Sequence, residues 1–448
     1  HMLFKSTTNI PNIKEYVGNL SKEWNANTSY DRTMYYETVT KDKVVEALSF
    51  EFDRLLNASF TEEDLRSEMT AVRNEMDMSE SRPDSVLIHA AMKLSYPWHG
   101  YSRAVIGARS DVESAPFDVL VRFYRRFYHP SNTFVLVAGD FDRDAVLEQV
   151  MRSFAVVAPN DSPARPEWTF DQHVLGSSRQ DVYLQVQQSK ACFAWRIPPM
   201  FTKESVALQF GMSSLFSQER GLLYEELVVN EKKLVDLQGI NYDLIDGGCY
   251  LLFAQGNATQ NPHDLEAPLM HRLYACIEQG ITDEMLHASK SDERSQYHDI
   301  LQNFDYLHYA VVDAELFSDW QYLYLRKQWV DEITVEDVNT ALRNWVKQQA
   351  QQSVFLVNRP LDVPKGYKVT PQKEFPAFES NLVENDPPEA SYESLHAKHE
   401  VLINDDDTLV TILNRRNQSG KVEFMFTNVM GTDDSRGAHA LIDRKSVV

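Results

Sequence analysis

Only three cysteines, Cys192, Cys249 and Cys276, occur in 448 residues, without a CxxC spacing and in a number that cannot all pair. A disulfide framework and a zinc ribbon are thereby excluded, and small buried hydrophobes remain as the reading of these residues. No apolar run reaches the roughly 18 residues of a membrane helix, and the first residues lack a basic stretch followed by an apolar one. Neither a membrane span nor a targeting signal is visible. Positive charge is scarce as well: 44 Lys and Arg face 66 Asp and Glu, for a net charge of -22. That balance argues against nucleic acid or an anionic membrane surface as partner and favours basic peptides or metal cations.

The length exceeds what one core supports and predicts two to three domains, at about 100–200 residues each. The most informative stretch is Phe60–Glu80, FTEEDLRSEMTAVRNEMDMSE. Thr61 with Asp64 three residues on is a helix-start signal, and Leu65, Met69, Val72 and Met76 then fall on one helical face. At about 100° per residue, Glu68 and Glu75 lie nearly in register, roughly 70 to 80° to one side of that stripe. Two carboxylates stacked beside a core need a cation or hydrogen-bond donors close by, and a metal is one such cation. The plain alternative is a pair of glutamates on a solvated flank.

The rest of the chain alternates helical and strand patterns and predicts an α+β fold. A strand pattern covers residues 24–38, helices cover 44–57, 84–94 and 116–128, and the strand NTFVLVAGD precedes a helix to about Phe154. Residues 158–180 read as a Pro-rich polar linker. Strands, a helical stretch near 202–229, two strands around Asp246-Gly247-Gly248, helices over most of 263–348 and the strand QSVFLVNRP follow. The helix-loop-strand unit at 117–140 recurs in pattern at 336–360, offset by 219 to 220 residues, which predicts two copies of one domain. The expected division is a first domain at 1–157, the linker at 158–180, a second domain at 181–360, an acidic Pro-rich linker at 361–395, and the start of a third domain at 396–448.

Three stretches carry a family resemblance: HMLFKSTTNIPN at 1–12, WNANTSYDRTMYYET at 24–38, and the helix with Glu68 and Glu75. Together they resemble the pitrilysin/insulinase family of zinc metallopeptidases, whose hallmark is H-x-x-E-H followed on a distant helix by a glutamate ligand. In that family Met-Leu-Phe-Lys commonly follows the second histidine, and here it follows His1. His1 is thus similar to the second metal histidine, Glu75 to the third, glutamate ligand, and Glu68 to the glutamate that accompanies it one heptad earlier. The loop YPWHGYSRAVIG and the segment RFYHPSNTFVLVAGDFD fit the family's first domain, and residues 180–360 fit its second, more weakly.

The resemblance implies two tandem homologous domains of the LuxS/MPP-like metallopeptidase fold, each a mostly antiparallel or mixed sheet packed with helices, plus the start of a third. The long four-domain branch of the family is then expected, in which two halves enclose a peptide. It also implies a Zn2+ cofactor and a zinc endopeptidase acting on peptides or unfolded polypeptides. Glu68 is the catalytic-site carboxylate, as support for the metal ligands His1 and Glu75. The Asn25-Ala26-Asn27-Thr28 strand pairs with extended substrate; without the resemblance it reads as an ordinary edge strand. The first histidine and the base glutamate of the motif would precede His1, so the chain is expected to be an N-terminally incomplete fragment with little activity alone. If His1 is a vector residue, its match is accidental. A non-catalytic peptide-binding or scaffold subunit of the same fold is the alternative. GTDDSRGAHALIDRKS lacks the motif at His439 and Asp443, so the second half is expected to be catalytically empty. His89, His99 and His129 read as structural. For a bacterial source the periplasm is the expected compartment.

Overall fold

In a computed structural model, the apolar periodicities become two five-stranded sheets flanked by helices. The structure describes residues 1–155, 157, 176–186, 188–358, 409–414 and 421–429. The first unit runs α1 (Ile13–Leu20), β1 (Glu23–Thr28), β2 (Arg32–Thr40), α2 (Val44–Asn57), α3 (Glu62–Ser81), α4 (Pro83–Ser95), α5 (Arg109–Ser114), α6 (Phe117–Phe127), β3 (Thr133–Gly139) and α7 (Arg143–Phe154). The second runs β4 (Ser178–Leu184), β5 (Ser189–Ile197), α8 (Lys203–Phe216), α9 (Leu222–Tyr224), β6 (Asp236–Tyr242) and β7 (Gly248–Gly256). It continues through α10 (Glu266–Gln279), α11 (Asp283–Gln302), α12 (Phe304–Phe317), α13 (Tyr322–Glu332) and α14 (Val335–Trp345) to β8 (Gln352–Asn358). Two further strands, β9 (Leu409–Asn414) and β10 (Lys421–Val429), follow.

The sheet orders are β1-β2-β10-β3-β9 and β4-β8-β5-β7-β6. Taken from β6, the second sheet repeats the first strand for strand. Three antiparallel pairings (β6/β7, β7/β5, β5/β8) match β1/β2, β2/β10 and β10/β3, and the parallel β8/β4 pair matches β3/β9. The helix-to-strand unit also recurs: α6 and β3 joined by a 3-10 turn at Pro130–Asn132, and α14 and β8 joined by one at Gln348–Ala350. Residues 409–414 and 421–429, assigned from sequence to a third domain, therefore pair within the first sheet, in the places that β4 and β5 hold in the second. A strand pattern specifies two faces but not which open edge it joins. The expected linker at 158–180 also ends earlier, because Ser178 to Gln180 already belong to β4. The 361–395 linker, His439 and Asp443 lie outside the described residues.

Each sheet has one face covered by its own helices and one by a helix of the other unit. Tyr35, Val39, Val135 and Val137 pack with α1, α2 and α7, whereas Met34, Phe134, Leu136 and Ala138 meet Val311 and Val312 of α12. Reciprocally, Ala191, Phe193 and Trp195 face the helices of the second unit, and Cys192, Leu251, Val354 and Leu356 receive Leu87, Ala91 and Met92 of α4. Burial on both faces explains why residues 133–139 show no polar alternation. Helix α8 lies against α14 so closely that a Cβ on Gly211 would sit 2.7 Å from the Leu342 side chain. The first unit has no counterpart of α8 among the described residues. Helix α6, the repeat of α14, accordingly buries none of its residues, while α14 buries Val338, Asn339, Ala341 and Leu342.

Candidate functional site

The start of α3 is fixed as the sequence predicts. Thr61 accepts from the Asp64 N–H and the Asp64 side chain accepts from the Thr61 N–H, a reciprocal cap. Leu65, Val72 and Met76 then bury one face, and Glu68, on the flank of that stripe, is only 6% exposed. Residues 2–4 form a 3-10 turn whose Met2 and Leu3 are buried, and the Lys5 carbonyl accepts from the Ile13 N–H at 3.1 Å, which ties this segment to α1. The turn brings His1 over α3.

His1 lies between the two glutamates. Its Nδ1 is 3.0 Å from Glu68 Oε1 and its Nε2 is 3.2 Å from Glu75 Oε2. Lys5 Nζ sits 2.7 Å from the other Glu68 oxygen. Burial works to raise the Glu68 carboxyl, but the hydrogen bonds from Lys5 and His1 prevail and hold it below its ordinary value. Glu68 is thus a desolvated carboxylate with both oxygens engaged, while the Glu75 side chain is mostly exposed. Lys5, which no periodicity singles out, is the residue that sequence reasoning passes over.

A second charged cluster adjoins this one. Arg54 pairs with Glu51 in the core and lies over the rings of Phe4, Tyr35 and Phe50 at 4.6 to 5.2 Å. Phe4 also meets Trp24 of β1, ring centroids 5.3 Å apart, so the segment carrying His1 is packed against the edge strand. That strand holds Asn25, Ala26, Asn27 and Thr28 opposite Tyr36, Tyr35, Met34 and Thr33 of β2, and it is the outermost strand of its sheet. Among the described residues no strand pairs with its outer edge, the kind of edge that can receive another extended chain.

His99 and His129 engage backbone and side-chain groups of the fold. The Tyr101 N–H donates to Nδ1 of His99, whose Nε2 is 3.1 Å from Asp246 of the second unit. The Ser131 N–H donates to His129 in the same way. Burial lowers the basicity of His89.

A catalytic zinc takes three protein donors and keeps a fourth position open. The His1 imidazole and the Glu75 carboxylate are donors of the right kind, and Glu68 on the far nitrogen of His1 is the outer partner such a ligand requires. Among the described residues no third His, Cys, Asp or Glu joins them. The donors present therefore do not fit a catalytic zinc by themselves, and no reaction step follows from them alone.

Comparison with known proteins bears on the same residues. Residues 1–109 match the family model described as Insulinase (Peptidase family M16), and residues 114–292 match that described as Peptidase M16 inactive domain. The zinc protease PqqE of Helicobacter pylori is 23% identical over 366 residues, 80% of this chain and 81% of that protein. An uncharacterized zinc protease of Bacillus subtilis, YmfH, is 23% identical over 331 residues, 71% of this chain and 74% of its own. Among solved structures, a protease from Helicobacter pylori superposes with a TM-score of 0.75 at 21% identity, over 80% of this chain and 87% of that one. The periplasmic protease PqqL from Escherichia coli superposes with a TM-score of 0.64 at 18% identity, over 80% of this chain and 42% of that one. At these identities the superpositions establish the fold.

Proposed function

The chain belongs to the insulinase (M16) family of peptidases, and from that membership we propose that it is part of a zinc-dependent metalloendopeptidase hydrolysing peptides or unfolded polypeptides. His1 and Glu75 are two of its metal ligands. The observation that carries this reading is the relay Lys5–Glu68–His1–Glu75. Lys5 pins Glu68, Glu68 accepts from His1 Nδ1, and this leaves Nε2, 3.2 Å from Glu75 Oε2, as the ring nitrogen that would share a metal ion with that carboxylate. With both oxygens engaged, Glu68 orients His1 rather than moving a proton. The third ligand and the general base belong on a helix seated against α6, in the place that α8 takes against α14. The open edge of β1 aligns substrate through main-chain hydrogen bonds at Asn25 to Thr28, without regard to sequence.

The second unit is proposed to be non-catalytic, in keeping with its match to the inactive-domain model. A first half of PqqL has been crystallised on its own, which supports a second half closing over this one. PqqL is periplasmic, and that compartment is proposed here too. No helix among the described residues is long and apolar enough to cross a membrane.

The test compares zinc content of the chain as it stands with that of a chain carrying His-x-x-Glu directly before His1. The proposal expects one bound zinc in the extended chain, lost on Glu75→Gln without loss of fold. A metal-free extended chain that still binds peptide would establish the scaffold alternative instead.

A further inference from the structure

Helices α11 and α13, which carry none of His1, Glu68 or Glu75, frame an open pocket of about 260 Å³. Its wall includes Glu293, Arg294, Tyr297, Arg326, Lys327 and Asp331. Arg326 is its fixed point. Its Nε donates to Glu293 at 2.7 Å, its Nη1 to the Tyr322 hydroxyl at 3.1 Å and its Nη2 to the Gln209 carbonyl at 2.8 Å. A guanidinium has five N–H groups, so two remain for a ligand.

Tyr322 is itself held in place by the Phe201 ring, packed edge-on at 4.5 Å from a backbone with φ of 65°. A non-glycine residue in that region is strained and persists where the surroundings enforce it. Gln209 is anchored from behind by Asp243, which accepts from its amide at 3.1 Å. The guanidinium is therefore held in one orientation beside the pocket.

Each of the two carboxylates of the wall has an arginine partner. Glu293 accepts from Arg326, and Asp331 accepts from Arg294 at 2.7 Å. Donors, by contrast, are left over. Lys327, placed 6.0 Å above the Tyr297 ring, has no carboxylate within ion-pair distance among the described residues. The Tyr297 hydroxyl makes no hydrogen bond among them either. A wall that sets Arg294, Arg326 and Lys327 against Glu293 and Asp331, with the ammonium and a hydroxyl uncommitted, favours an anionic ligand.

We propose that this pocket binds a small oxyanion, a carboxylate or phosphate group, gripped by Lys327, the two unspent N–H groups of Arg326 and the Tyr297 hydroxyl. Free phosphate and the terminal or side-chain carboxylate of a polypeptide share this chemistry. Neither His1 nor Glu75 enters the site, so it stands whether or not the chain is a peptidase. The net charge of -22 repels anions elsewhere on the surface, so saturable anion binding reports a built site.

The test is isothermal titration of the chain at low salt with inorganic phosphate, with acetyl-dialanine bearing a free carboxylate, and with its C-terminal amide. Saturable binding of at least one anion and none of the amide is expected. Lys327→Met should weaken it by about tenfold, the worth of one charge-assisted hydrogen bond, and Tyr297→Phe by less. Lys327 is exposed and Tyr297 half-buried, and thermal midpoints should not move; if one variant misfolds, the other decides. Preference for phosphate identifies a free anion as ligand, and preference for the peptide identifies a polypeptide carboxylate. No saturable binding of either anion, or binding unchanged in the folded variants, overturns the proposal.

Discussion

Glu37 offers the sharpest test of the energetics, because a single buried proton governs it. The side chain sits on β2 at 1% exposure, accepts from the Ser21 hydroxyl through Oε2, and leaves Oε1 with no partner among the described residues. Burial first, and the nearby Glu51 charge second, push its carboxyl up to about 8, against the opposing pull of Ser21 and Arg54. Between the unfolded value of 4.5 and about 8 the folded chain holds a proton that the unfolded chain has released. Folding is therefore most favoured below that window, and stability falls as pH rises through it by about 1.4 kcal/mol per pH unit. The accumulated loss is on the order of 3 to 5 kcal/mol. Gln has the shape of the protonated acid and cannot ionise. Glu37→Gln should thus match the parent near pH 5 and exceed it by on the order of 3 kcal/mol at pH 8.5, with a flatter profile. Urea denaturation from pH 5 to 9 measures both curves. Parallel profiles, or a variant less stable than the parent at pH 8.5, would refute the reasoning.

Three further expectations follow from the site and the cores. Ala26→Pro should leave the sheet standing, because the Ala26 N–H donates to the Asn25 side chain rather than supporting the ladder with β2. Thermal stability should change by about 1 kcal/mol or less while peptide affinity, read by fluorescence anisotropy, drops about tenfold, since one edge donor is gone. Lys5→Met leaves Glu68 desolvated with one partner, and at pH 7 should cost about 1 to 3 kcal/mol in urea denaturation. The lowered Glu68 carboxyl stabilises the fold above its unfolded value and ceases to do so as pH falls through its folded value, so the deficit should close in acid. Leu87→Ala, at a fully buried α4 position against the second sheet, should cost about 2 to 5 kcal/mol. A single cooperative transition shifted downward by both near- and far-ultraviolet circular dichroism would show the two units unfolding together; two separated transitions would disprove it.

What sequence could foresee divides along physical lines. Capping chemistry is local, so Thr61 and Asp64 announce the start of α3, and helical period alone places Glu68 and Glu75 on one flank. Their difference, one carboxylate buried and one exposed, depends on the 3-10 turn at Met2–Phe4 and on Lys5, which reach α3 across more than sixty residues. The pair Glu51 and Arg54, three apart on α2, carries no local sign of burial; it is buried because the rings of Phe4, Tyr35 and Phe50 close around it. The repeat was legible in one helix-strand unit, yet the match of all the strand pairings was not, because register and partner are decided by which edge is open. The Arg326 guanidinium joins Gln209, Glu293 and Tyr322 from three helices, a convergence without any sequence spacing.

The reciprocal covering of the sheets gives the second unit a role at the site without a ligand of its own. Glu68 and Glu75 ride on α3, and α3 passes to α4 through Arg82 and Pro83, the cap of one helix adjoining the first turn of the next. Helix α4 is then held against the second sheet by Leu87, Ala91 and Met92. The loop after it is locked to the β6–β7 turn by the Tyr96 hydroxyl, whose single proton is shared between the Gly247 and Gly248 carbonyls, each 2.6 Å away. On the opposite side α12 braces β2 and β3 through Val311 and Val312, and Arg32 of β2 binds Asp313 at 2.6 Å. A shift of the second unit would therefore move α3 relative to the sheet that bears β1, and with it the carboxylates relative to the edge strand. Ligand-grade geometry tolerates only about half an ångström of such slack. The packing of the second unit thus fixes the geometry of the first.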